Sequence, residues 1–72
     1  MKKRSVRIAG HATSISLEEE FWDALKNIAK HHGKSASTII SEIDEGRGEI
    51  NLSSALRLYV LRDMKRRLND HP

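Results

Sequence analysis

The stretch His11-Ala12-Thr13-Ser14-Ile15-Ser16-Leu17-Glu18-Glu19-Glu20-Phe21, HATSISLEEEF, places two periods side by side that cannot belong to one element. Thr13, Ile15 and Leu17 alternate with Ala12, Ser14 and Ser16, the two-residue period of a strand with one apolar face. From Glu18 onward the chain reads as an acidic first turn of helix. A lone short strand leaves backbone N–H and C=O groups without partners. The fold therefore turns on what that strand pairs with.

The chain has 72 residues, room for one domain that buries a modest share of its surface. It holds no cysteine, which excludes disulfides and thiolate metal sites. No apolar run approaches the roughly 20 residues of a membrane span, and the basic start Met1-Lys2-Lys3-Arg4 is not followed by the apolar core of a signal peptide. A soluble, cytoplasmic protein is expected, with no membrane partner. Formal charge is +3, from 13 Lys+Arg against 10 Asp+Glu. Its distribution is more informative than its sum. Lys2, Lys3, Arg4 and Arg7 crowd the amino end, and Arg57, Arg62, Lys65, Arg66 and Arg67 the carboxyl end. Such clusters are often only solvated surface, but a basic arm beside a strand raises the prospect of nucleic acid.

Residues 1–10 read as a flexible basic arm, in which Val6 and Ile8 alternate with Arg7 and Gly10 breaks the phase; residues 11–72 form the domain proper. A first helix is predicted from about Glu18 to His32, with Ser16 and Glu19 at capping-box spacing and an apolar stripe of Phe21, Leu25, Ile28 and Ala29, Trp22 at its edge. Gly33 stands where a left-handed stop is wanted. A second helix follows the link Gly33-Lys34, capped by Ser35 or Ser37, with Ala36, Ile39, Ile40 and Ile43 inward. Asp44 to Glu49, interrupted by two glycines, is a predicted loop. A third helix is predicted from about Leu52 to Leu68, capped by Asn51 or Ser53. Leu56, Tyr59, Val60 and Met64 share one face, and Leu58 and Leu61 project elsewhere. That is more apolar surface than the first two helices can cover.

Two solutions exist for the strand. Residues 5–8 could fold back on 13–16 through a turn around Gly10-His11. Alternatively the strand could meet its copy in a second chain across a two-fold axis, the solution expected here because the surplus apolar surface also asks for a partner. The core of the intertwined homodimer would then be Thr13, Ile15, Leu17, Phe21, Leu25, Ile40, Ile43, Leu56 and Val60. The expected class is mainly α: one N-terminal strand in an intermolecular ribbon, followed by three helices.

The order strand, helix, glycine-basic-serine link, helix in ATSISLEEEFWDALKNIAKHHGKSASTIISEI (12–43) resembles a ribbon-helix-helix domain of the Arc/MetJ repressor superfamily. With the tail GEINLSSALRLYVLRDM (48–64) it is similar to a short bacterial subfamily carrying a third helix, and the resemblance covers residues 4 to about 64. It implies a homodimeric DNA-binding transcriptional regulator, a repressor, whose ribbon enters the major groove. By position the outward strand residues Ala12, Ser14 and Ser16 would face bases. The start of the second helix, Lys34, Ser35, Ala36 and Ser37, would sit on a phosphate. The physics of that last contact is independent of any family, since a helix start offers unpaired N–H groups and partial positive charge.

Here the chain departs from its relatives. The usual readers are long side chains that pair bidentately with guanine or adenine, whereas serine discriminates weakly and alanine can only pack on a thymine methyl. Either the arm residues Lys2, Lys3, Arg4 and Arg7 supply the missing reach, giving salt-dependent binding dominated by phosphate, or the domain keeps only its dimer and holds a protein through the ribbon or third helix, as an antitoxin holds its toxin. Short polar strand residues are also ordinary solvent-facing positions.

Other clusters carry less. His11, His31, His32 and His71 lack helix-spaced metal partners, since His31 and His32 are adjacent and point apart; no metal or cofactor is expected. Glu18-Glu19-Glu20 reads as a dipole-matched first turn. Ser35 and Ser37 have no His–acid pair to activate them, and Gly46-Arg47-Gly48 follows no apolar strand that would make it a phosphate cradle. Trp22 is expected in a core or dimer seam. The basic carboxyl end suits a helix dipole or forms a second basic patch. No enzyme is expected.

Overall fold

The computed structural model describes residues 2–8 and 10–69, and of Lys2 the backbone alone. His71 and the Lys2 side chain therefore lie outside the described residues. The elements are β1 (Lys2–Ile8), β2 (His11–Leu17), α1 (Glu19–His31), α2 (Ala36–Gly46) and α3 (Leu52–Asn69). A two-stranded antiparallel ribbon packs against three helices, so the chain is mainly helical, as expected. No described helix is long and apolar enough to cross a membrane.

β2 finds its mate inside its own chain. It pairs antiparallel with β1, in a register running from Lys2 opposite Leu17 to Ile8 opposite His11. Residues 2–8, expected as a flexible arm, are a strand, and the pairing expected between two chains is made within one. The two-residue link explains this. Gly10 takes φ 83°, a left-handed conformation that glycine adopts without steric cost. With that link, Arg4, Val6 and Ile8 fall opposite Ile15, Thr13 and His11, and one face of the ribbon collects the apolar residues of both strands. Closing so short a loop also costs far less entropy than immobilising a second molecule.

The inner face of the ribbon sits on the helices. Ile8, Ile15 and Leu17 join Trp22, Leu25, Ile28 and Ala29 of α1, Ile39 and Ile40 of α2, and Leu56 and Val60 of α3 in one core. Burial of each large aliphatic side chain here stabilises by roughly 1.5–3 kcal/mol. Of the residues expected in a dimer core, Ile15, Leu17, Leu25, Ile40, Leu56 and Val60 are buried within the single chain, and Thr13, Phe21 and Ile43 are half-buried.

Local signals place most helix ends. Gly33 (φ 66°) stops α1 in a left-handed turn, its N–H donating to the Lys30 carbonyl while Lys34 N–H donates to that of Ala29. Ser35, not Ser37, caps α2: its Oγ accepts from Thr38 N–H at 3.1 Å. Asn51 Oδ1 accepts from Ser54 N–H at 3.3 Å at the start of α3, while Ser53 Oγ donates to the Ser16 carbonyl and so ties α3 to the end of β2.

Three details differ from expectation. Ser16 remains in the strand, so no capping box forms, and α1 starts at Glu19 with Glu18 as its N-cap residue. Phe21, expected in the apolar stripe, is only half-buried, whereas Trp22 is 3% exposed and lies in the core where it was expected. Asp44, Glu45 and Gly46 belong to the last turn of α2. Arg47 closes the chain after it, donating from Nε to Asp44 Oδ1 at 2.7 Å and from Nη1 to the Ile50 carbonyl at 2.7 Å. Met64 is 52% exposed, part of the apolar surface of α3 that the first two helices were expected to leave uncovered.

Candidate nucleic-acid interface

In an antiparallel pair, residues directly opposite share a face. The outward face of the ribbon therefore has three rows: Lys3 with Ser16, Ser5 with Ser14, and Arg7 with Ala12. Ser16 is half-buried and the other five are exposed. No Asp or Glu occurs in residues 1–17, so this face carries positive charge with no acid among its own side chains. The expected base-facing residues Ala12, Ser14 and Ser16 are thus brought together with Lys3 and Arg7 of the expected arm. Ser5 completes the set. Sequence reasoning passed over it, although its signal was present: Lys3, Ser5 and Arg7 alternate with Arg4, Val6 and Ile8.

Arg4 belongs elsewhere. It points inward, its Nη2 donating to Glu19 Oε1 at 3.0 Å and its guanidinium lying 5.3 Å from the Trp22 ring centroid. This cation–π contact braces the ribbon on α1. Arg4 is therefore separated from Lys3 and Arg7 by the pleat itself.

The start of α2 is the second part of the candidate site. Thr38 N–H is capped by Ser35 Oγ, and Ile39 N–H donates to the Ser35 carbonyl at 3.2 Å. The N–H groups of Ala36 and Ser37 precede them, in the first turn where a helix has no acceptor of its own to offer. Lys34 Nζ stands 2.8 Å from Glu42 Oε2, both side chains close to half exposed. Such a surface pair is worth about 0–1 kcal/mol, so an incoming phosphate can compete for the ammonium.

The ribbon followed by α1 and α2 is the decisive arrangement, and the family model for the ribbon-helix-helix domain matches residues 1–64. The chain belongs to the ribbon-helix-helix family. No curated protein and no solved structure matches it.

In this ribbon-helix-helix chain α3 adds two further features. A cleft of about 300 Å³ between α2 and α3 is lined by Ile43, Ile50, Leu58 and Tyr59, with Arg47 and Arg62 at its edge. Past it, Leu61, Met64 and Leu68 are exposed at helical spacing. The basic carboxyl end is partly neutralised within the helix. Asp63, 4% exposed, accepts from Arg66 Nη2 at Oδ1 (2.6 Å), and Arg67 Nε lies 3.0 Å from Oδ2, a charge contact without hydrogen-bond alignment.

Proposed function

We propose that this chain is a DNA-binding transcriptional regulator that acts as a homodimer and inserts its ribbon into the major groove. The observation that carries the reading is the acid-free outward face on which Lys3 and Arg7 flank small polar side chains. A major groove about 12 Å wide admits a two-stranded ribbon, and short side chains such as Ala12, Ser14 and Ser16 let the backbone approach base edges. The first turn of α2, with Lys34, Ser35, Ala36 and Ser37, binds a phosphate through its N–H groups and its cation. The uncovered apolar residues Ile50, Leu61, Met64 and Leu68 support self-association. The reading needs no catalytic group and no cofactor.

Fluorescence anisotropy with duplex DNA, titrated against salt, tests it. Binding should weaken steeply between about 50 and 200 mM salt. Absence of binding at the low end would remove the reading, and sedimentation of the free protein checks the dimer. A second reading rests on the exposed Leu61, Met64 and Leu68, beside Arg62 and Lys65: α3 holds a protein partner in the manner of an antitoxin. It predicts a dimer that leaves DNA unbound.

A further inference from the structure

We infer that β1, and not β2, carries the sequence code, with Arg7 reading a guanine and Lys3 contacting a second position about three to four base pairs away. This rests on the DNA-binding reading above. Three observations support it.

The first is facing. Among the outward residues of the ribbon, Lys3 and Arg7 alone have side chains long enough to reach into a groove, and both stand on β1. Arg4, the other described cation of that strand, is turned away to Glu19 and Trp22.

The second is availability. Arg7 makes one long bond, Nη1 to the Gly10 carbonyl at 3.5 Å, and no ion pair among the described residues, so most of its five donors are unengaged. Ala12, directly opposite, is too small to block the planar fork. That fork matches the O6 and N7 acceptors of guanine, the commonest specific contact in the major groove.

The third is spacing. Lys3 and Arg7 are four residues apart along a strand rising about 3.4 Å per residue, hence about 14 Å apart. Base pairs rise about 3.4 Å along the duplex axis. A ribbon following the inclined groove therefore spaces its two long side chains about three to four base pairs apart. Between them Ser5 and Ser14 form a low central row that keeps the ribbon close to the bases.

The test is enrichment of sites from a random duplex pool with the full chain, followed by anisotropy on the enriched site and on an unrelated duplex. Wild type should enrich a guanine at one position and a second constrained position at the stated spacing. Arg7→Gln should move the first preference from guanine to adenine, because glutamine pairs with adenine N6 and N7. Arg7→Ala should lower affinity for the enriched site about 5- to 150-fold, while the unrelated duplex loses far less. Arg7 is exposed, and circular dichroism melting verifies that both variants fold. The same enriched site from wild type and Arg7→Gln would overturn the inference. So would salt-dependent binding with no base preference, which leaves the proposed function standing. Absence of any binding at low salt overturns both.

Discussion

Arg57 clamps Glu18 at two points, Nε donating to Oε1 at 2.9 Å and Nη2 to Oε2 at 3.2 Å, across 39 residues of sequence. The pair fastens the strand-to-helix junction to α3, beside the Ser53 to Ser16 bond. The hydrogen bond from Arg57 is the main cause holding the Glu18 carboxyl below its ordinary range. A carboxylate depressed in the folded state stabilises above the unfolded pKa, and that contribution is lost as pH falls through the folded one. Glu18→Gln should therefore melt below wild type at pH 7, and the gap should close as pH is taken well under about 4. A gap that persists undiminished at pH 2 would show that the clamp does not act through the charge.

Burial separates two adjacent aromatics on α1. Trp22 is enclosed and Phe21 only half so. Trp22→Ala should cost about 3–5 kcal/mol, a large share of the stability of so small a domain, and Phe21→Ala clearly less. Denaturant midpoints measure both. The reverse order would mean that α1 presents its other edge to the core.

Gly10 tests the hairpin. A Cβ added there meets nothing within 4 Å, so any penalty comes from the backbone at φ 83° and not from a clash. Gly10→Ala should destabilise by about 1–2 kcal/mol, which in a domain of this size lowers Tm by about 4–8 °C per kcal/mol. An unchanged melting temperature would argue against the intrachain turn.

Lys34→Glu tests the phosphate contact. Phosphate carries no base code, so affinity should fall by a similar factor on every duplex, and the salt slope should drop by about one. Unchanged affinity would leave the start of α2 out of the interface.

Periodicity made the three helices legible, and the apolar positions Leu25, Ile40, Leu56 and Val60 identified the core from within each helix. The ribbon was legible as a ribbon but not in its connectivity. Gly10 looks like a break in phase when the sequence is read as a line, and becomes the pivot that restores phase once the chain folds back. The same ambiguity scattered the candidate site: Arg4 and Arg7 are equivalent in a flexible arm, and only the pleat of a strand turns one to Trp22 and the other to solvent.

A ribbon completed inside one molecule also changes the arithmetic of an operator. Were the two strands supplied by different subunits, a pair of molecules would own a single shared probe. With both strands supplied by one, each subunit of the proposed dimer would bring a whole probe, and a symmetric pair would bring two. Preferred sites would then comprise two inverted copies of a short motif, their separation dictated by the distance between protomers.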